Sequence, residues 1–72
     1  MTNENPVRFT LNDNTIVIVK KVANSKYDFE MILPNGNRRT FVWANDEPFD
    51  LRGNKGYLDA LVIEAVNRFF NR

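Results

Sequence analysis

The stretch ILPNGNRRTFVW, residues 32 to 43, places a turn signal between two runs of alternating residues. Proline suits the first position of a three-residue hairpin loop, asparagine suits the second, and glycine suits the left-handed third position. Pro34, Asn35 and Gly36 follow one another in that order. The sequence therefore predicts a β-hairpin that turns on these three residues.

The length of this loop decides the face on which two aromatic residues lie. With three loop residues, Phe29 lies opposite Phe41. Tyr27 then lies opposite Trp43, and all four rings share one face. A two-residue turn at Asn35-Gly36 places Phe41 and Trp43 on the other face, because a slip of one residue turns every side chain over. The hydrophobic pattern favours one aromatic face, so we predict that Phe41 and Trp43 are core residues.

Three further segments have strand character, and the last part of the chain has a helical period. The predicted strands cover residues 7 to 11, 15 to 22, 27 to 33 and 38 to 44. Short, turn-like connections indicate an antiparallel meander. Residues 45 to 56 are expected to form a polar loop, and from Tyr57 apolar residues recur at three- and four-residue steps. The predicted fold is α+β: a four-stranded antiparallel meander followed by one C-terminal helix, ββββα.

The composition limits how such a fold can be stabilised. Seventy-two residues make one small domain, with residues 1 to 6 expected to be a flexible N-terminus. A chain of this length buries only about 60% of its unfolded surface, so its core is marginal. The chain has no cysteine or histidine, which excludes disulfides and the usual zinc and thiolate sites. We expect no cofactor, and a partner chain is the remaining common source of stability.

Charge and hydropathy indicate a cytoplasmic protein. The first residues lack a charged segment followed by an apolar run, and no stretch approaches the roughly 18 apolar residues that a membrane span needs. We therefore expect no membrane partner. The net charge of +1 argues against bulk attraction to nucleic acid.

The residue types argue against catalysis. Without histidine and cysteine, a nucleophile and its general base are hard to assemble, and the only serine, Ser25, lies in a predicted turn. Asp46, Glu47 and Asp50 cluster in the predicted loop, but Pro48 interrupts them and their spacing fits no calcium-binding loop. We expect no catalytic residue, no metal site and no enzyme.

One segment has the residue types of an anion site. It lies just before the predicted helix and consists of Arg52, Gly53, Asn54, Lys55 and Gly56. Glycines let a ligand approach the backbone, helix-start N–H groups are unpaired, and the two cations add positive charge. The favoured interpretation is structural: Asn54 caps the helix and the charges are solvated.

A second set of residues suggests single-stranded nucleic acid as a ligand. Phe41 and Trp43 would provide the aromatic surfaces on which bases stack. The basic residues beside them would be Lys20, Lys21, Arg38 and Arg39. The order ββββα is similar to that of single-stranded nucleic-acid-binding coactivators that work as dimers, a likeness of topology. This function needs the two-residue turn, and the lysines and arginines are expected about 15 Å apart, so we do not favour it.

Strand two leaves its register open. A two-residue turn at Asp13-Asn14 places Ile16 and Ile18 on the face of Phe9 and Leu11. A three-residue turn at residues 12 to 14 places Val17 and Val19 there instead. In both cases a β-branched pair lies on the face that a single helix does not cover.

This surplus of apolar residues is the main functional indication. The helix has a wide apolar arc of its own, and the candidate interface residues are Ile16, Ile18, Ile63, Val66 and Phe70. We expect a non-enzymatic protein-interaction domain that forms a homodimer or binds a larger protein partner. The alternatives are the nucleic-acid-binding protein and the anion-binding module.

Overall fold

The computed structural model describes residues 6–56 and 58–72. In this part of the chain, a five-stranded antiparallel sheet in the order β1-β2-β3-β4-β5 is followed by one helix. The elements are β1 Val7–Thr10, β2 Ile16–Ala23, β3 Lys26–Ile32, β4 Arg38–Ala44, β5 Glu47–Phe49 and α1 Ala60–Phe70. The predicted α+β meander with a C-terminal helix is confirmed, with one additional short strand. Tyr57, from which the helical pattern was predicted, lies outside the described residues. So do residues 1 to 5, which were expected to belong to a flexible N-terminus.

The hairpin between β3 and β4 has the predicted three-residue loop. The Leu33 N–H donates to the Asn37 carbonyl oxygen at 2.8 Å, and the Gly36 N–H donates to the Leu33 carbonyl oxygen at 2.9 Å. Gly36 has φ +88°, the left-handed conformation that favours glycine. Phe41 is therefore paired with Phe29, and their rings stack 4.8 Å apart.

The hairpin between β1 and β2 also turns on three residues, which settles the register of β2. The Leu11 N–H donates to the Thr15 carbonyl oxygen at 2.8 Å. The carboxylate of Asp13 accepts the Thr15 N–H at 3.0 Å and holds the turn. Val17 consequently lies opposite Phe9. Of the two open alternatives, the structure has the one with Val17 and Val19 in the core.

Residues 45 to 56 are not the simple polar loop that we expected. Asn45 and Asp46 both have positive φ, 52° and 64°, as a two-residue type I′ hairpin turn requires. The turn leads into β5, where the buried Pro48 lies opposite Trp43. Proline is tolerated here because β5 is an edge strand. An N–H on the outer side of such a strand does not need to donate to a neighbouring strand.

Both ends of α1 are capped. The Asp59 carboxylate accepts the Val62 N–H at 2.9 Å, and Asn71 ends the helix in the left-handed conformation with φ 58°. The expectation that Asn54 caps the helix was wrong. The helix begins at Ala60, and the aspartate immediately before it supplies the acceptor that its first N–H groups need.

A single core lies between the helix and one face of the sheet. Its buried members are Leu11, Val17, Val19, Phe29, Met31, Phe41, Trp43, Val62, Ala65 and Val66. Phe41 and Trp43 are each only 7% exposed, which confirms that they are core residues. In residues 6–56 and 58–72, no helix has the length and apolar character needed to cross a membrane.

Candidate functional site

The sheet has a second face, opposite to the core, which we call the open face. Because side chains alternate along a strand, the register assigns every second residue to it. In strand order these residues are Arg8, Thr10, Ile16, Ile18, Lys20, Ala23, Lys26, Asp28, Glu30, Ile32, Arg38, Thr40, Val42, Ala44, Glu47 and Phe49. Within the described ranges, no helix covers this face.

Apolar side chains are prominent on the open face. Ile16 lies directly opposite Ile32, and Val42 lies directly opposite Phe49. All four are half-buried by their neighbours in the sheet. Leu51 follows β5 and is 73% exposed. The open face therefore presents apolar surface that residues 6–56 and 58–72 leave in contact with solvent.

A shallow groove runs over the middle of the open face. It has a volume of about 370 Å³, and residues that line it include Ile18, Lys20, Asp28, Glu30 and Thr40, with Pro6 and Leu51 as further lining residues. Lys20 lies directly opposite Asp28 in the sheet. Opposite charges thus lie side by side along the groove, next to an isoleucine.

The edges of the sheet are poorer docking sites than the open face. β1 has four residues and carries Arg8, and β5 has three residues. Beyond β5, an antiparallel bridge joins Phe49 to Lys55. Short, charged or covered edge strands are weak templates for pairing with another chain.

The segment predicted to bind an anion forms a tight turn of its own. The carboxylate of Asp50 accepts the N–H of Arg52 at 2.8 Å and the N–H of Asn54 at 2.9 Å. These bonds, above all the one from Asn54, lower the pKa of Asp50. An internal carboxylate thus takes the backbone donors that an external anion would need.

The position of this segment also differs from the expectation. Gly53 has φ +89° at the tip of the turn, and the Gly56 N–H donates to the Pro48 carbonyl oxygen at 3.0 Å. Lys55 lies 4.0 Å from the Glu47 carboxylate. The segment is therefore part of the β5 hairpin and does not form the start of α1.

The basic residues of the nucleic-acid hypothesis are not brought together. Arg38 lies on the open face, where its Nη1 is 3.0 Å from Glu30 Oε2, whereas Arg39 lies on the other face and pairs with Asp59 at 2.8 Å. Lys20 and Lys21 likewise alternate between the two faces. The row of Lys20 is four residues along β3 from the row of Arg38, about 13 Å.

The stacking surfaces of that hypothesis are absent as well. The three-residue loop at Pro34 turns Phe41 and Trp43 into the core, where they cannot form a platform for bases. The register that a nucleic-acid platform needs is therefore not adopted.

The flank of the helix offers less surface than its apolar arc suggested. Val66 is only 2% exposed, so its assignment to an interface was wrong. It points towards the sheet together with Val62 and Ala65, because residues three and four apart share a helical face. Phe70 packs edge-on against Tyr27 at 5.3 Å, and Ile63 remains 41% exposed.

The carboxylates of the β5 region are each engaged separately. Asp46 pairs with Arg72 at 2.8 Å, Glu47 lies near Lys55, and Asp50 holds its own turn. Among residues 6–56 and 58–72, no three potential metal ligands are grouped together. Ser25 lies in the turn between β2 and β3 with φ 59° and is exposed.

No protein-family model, curated protein or solved structure matches this chain. A fold of this class does not specify a function, because the same architecture carries unrelated activities. The surfaces described above are therefore the basis for a functional proposal.

Proposed function

We propose that this chain is a non-enzymatic protein-interaction domain that acts as a homodimer through its open face. The observation that supports the proposal is the apolar surface of this face, with Ile16, Ile18, Ile32 and Val42 under no second layer of the described chain. Sheets are stable when an apolar face is packed against another layer. A second copy of the same face supplies that layer.

Charge favours a second copy over an unrelated partner. The open face carries Lys20 and Arg38 as well as Asp28 and Glu30. A two-fold axis places the same patch on both sides of an interface, so a patch with both signs can set its acids against the bases of its copy. A face of one sign would repel itself.

The area of the open face indicates how strongly two copies are expected to associate. The five strands have 4, 8, 7, 7 and 3 residues. At about 3.3 Å per residue and about 4.8 Å between strands, the face measures roughly 460 Å², so two faces bury roughly 900 Å². Specific interfaces begin near that total. We therefore expect a dimer that forms reversibly with concentration and dissociates on dilution.

Light scattering tests the proposal. We expect the parent protein to approach twice the 8.4 kDa mass of one chain as its concentration is raised through the micromolar range. Ile18→Asp places a carboxylate at the centre of the open face, next to Glu30, and should give a folded monomer. Ile63→Asp is the matched control, because Ile63 is an exposed isoleucine on the helix, away from the open face.

Two results would count against the proposal. A parent protein that stays at one chain mass at all concentrations excludes the homodimer. Dissociation by Ile63→Asp with retention by Ile18→Asp assigns the interface to the helix flank. Circular dichroism of both variants establishes that each remains folded.

The cytoplasmic location expected from the sequence stays a prediction.

A further inference from the structure

A hollow lies at one end of the molecule, away from the groove of the open face. Its volume is about 360 Å³. It is bounded by the turn between β2 and β3, the turn between β4 and β5, and the end of α1. The lining residues are Ser25, Tyr27, Trp43, Asn45, Asp46, Phe70 and Arg72. Three aromatic side chains and one carboxylate thus surround a small space.

The side chain of Arg72 forms part of the wall of this hollow. Its Nη2 is 2.8 Å from Asp46 Oδ1. Its Cζ lies 5.0 Å from the centroid of the Phe70 ring. A carboxylate together with an aromatic face is the combination that proteins use to bind organic cations. Arg72 shows that a guanidinium group fits this arrangement.

Arg72 also lines a second hollow. The neighbouring hollow has a volume of about 330 Å³ and is lined by Trp43, Asp46, Leu58, Ile63, Val66, Asn67 and Arg72. Three residues, Trp43, Asp46 and Arg72, line both. The shared residues place the two hollows next to each other along Trp43, and we call them together the cleft.

The contact that holds Arg72 is easy to displace. The side chain of Arg72 is 48% exposed and that of Asp46 is 70% exposed. Ion pairs between exposed side chains contribute little to stability, because water and salt screen them. A second cation that reaches the same carboxylate and ring can therefore replace Arg72 without disturbing the core.

We propose that this cleft is a binding site for a guanidinium group, such as the side chain of an arginine in a partner, and that Arg72 occupies the site when no ligand is bound. The incoming group pairs with Asp46 and lies over Phe70, as Arg72 does. Trp43 forms the wall of the cleft. The site is separate from the proposed dimer interface, so either proposal can fail alone.

Asp46 permits a clean test because of its backbone. With φ 64° it occupies a position of the type I′ turn that asparagine adopts readily. Asp46→Asn therefore removes the charge and keeps the shape of the turn. Glu47→Gln is the matched control, since it makes the same charge change one residue away, at a position that faces the open side of the sheet.

Trp43 is the only tryptophan of the chain, so its fluorescence reports on the cleft directly. The probe is N-acetyl-arginine methylamide, titrated at constant ionic strength, and its neutral counterpart is the citrulline analogue. We expect a saturable change at millimolar concentration with the arginine compound and none with citrulline. Asp46→Asn should abolish the change, and Glu47→Gln should leave it intact.

Arg72→Ala gives the most specific outcome. Removing the internal occupant leaves the site open in every molecule, so the affinity should rise by the reciprocal of the fraction that is open in the parent. For an exposed ion pair worth at most about 1 kcal/mol, this rise is about twofold to fivefold. A site in which Arg72 has only a structural role would bind no better, and that result would overturn the proposal. The absence of a saturable change in both the parent protein and Arg72→Ala would overturn it as well.

A second comparison identifies the source of the guanidinium group. A short peptide with a central arginine is titrated against the free arginine compound, with the citrulline peptide as its control. Tighter binding of the arginine peptide supports a protein partner. Equal affinities assign the site to small guanidinium compounds. Equal binding of the citrulline peptide would contradict recognition by charge.

Discussion

At the scale of single residues, Trp43 connects the fold to the proposed sites. It lies in the core with 7% of its surface exposed, opposite Pro48 on β5 and opposite Tyr27 on β3. Together with Asp46 and Arg72, it also lines the two hollows at this end of the molecule. One residue therefore contributes both to the packing of the sheet and to the wall of the cleft.

Trp43 should be protected from solvent and important for stability. We expect blue-shifted fluorescence that iodide quenches poorly, because the ring is packed between sheet and helix. Trp43→Ala should lower the free energy of unfolding by about 3 to 5 kcal/mol, as large-to-small changes in a core do. Chemical denaturation measures this loss against the parent, with Trp43→Phe as the milder control. Strong iodide quenching of the folded parent would contradict the core position.

At the scale of elements, Asp59 determines where α1 begins. Its carboxylate accepts the Val62 N–H at 2.9 Å and also pairs with Arg39 of β4 at 2.8 Å. The first bond satisfies a helix-start donor, and the second fixes the helix to the sheet. The hydrogen bond from Val62, followed by the interactions with Arg39, lowers the pKa of Asp59 from its ordinary value of 3.8.

Removal of this cap should weaken the domain. Asp59→Ala should lower the free energy of unfolding by about 1 kcal/mol, the usual cost of losing a helix cap. Asp59→Asn keeps a capping oxygen and loses the charge, so it should cost less. Urea denaturation of the two variants measures the difference. Equal costs would show that the pair with Arg39, and not the cap, is the main contribution.

The same group predicts a dependence on pH. The pKa of Asp59 is lower in the folded state than its ordinary value of 3.8. Its contribution to stability is therefore fully present above pH 3.8 and is lost as the pH falls through the folded pKa. Asp59→Asn should therefore show a flatter decline in stability than the parent between about pH 5 and about pH 2. Parallel curves for the two proteins would contradict this assignment.

At the scale of the whole molecule, one helix and five strands do not enclose the sheet. The helix covers one face, and the described chain places no second helix on the open face. A small domain buries little apolar surface in its own core. Association that covers the open face is therefore expected to add noticeably to its stability.

The melting temperature should therefore depend on concentration. If two folded chains associate, mass action stabilises the folded state as protein concentration rises. We expect a higher melting temperature at high concentration for the parent and for Ile63→Asp. Ile18→Asp should melt at one temperature throughout the same range. A melting temperature of the parent that does not change with concentration would argue against the dimer.

The sequence by itself determined the features that depend on neighbouring residues. Alternation defined the four main strands, and the Pro34 to Gly36 loop fixed the register that sends Phe41 and Trp43 inward. These signals act within a few residues, because turn types and side-chain alternation are local properties of the backbone. The fold class followed from them.

One wrong expectation and one open alternative came from ambiguous local signals. Residues 45 to 56 were expected to form a polar loop, although Asn45 and Asp46 suit a hairpin turn and are the signal that predicts β5. In β2 the hydrophobic pattern did not distinguish the two faces of the strand, since isoleucine and valine alternate there. Both the two-residue and the three-residue turn before β2 were therefore compatible with the sequence.

The tertiary structure decided the rest, because it depends on how surfaces far apart in sequence meet. Packing against α1 placed Val17 and Val19 in the core and left Ile16 and Ile18 on the open face. It also buried Val66, which the helical pattern alone could not distinguish from the exposed Ile63. The pair of Arg72 and Asp46 joins residues 26 positions apart. No local pattern encodes that contact, because it exists only when the end of the helix lies beside the turn between β4 and β5.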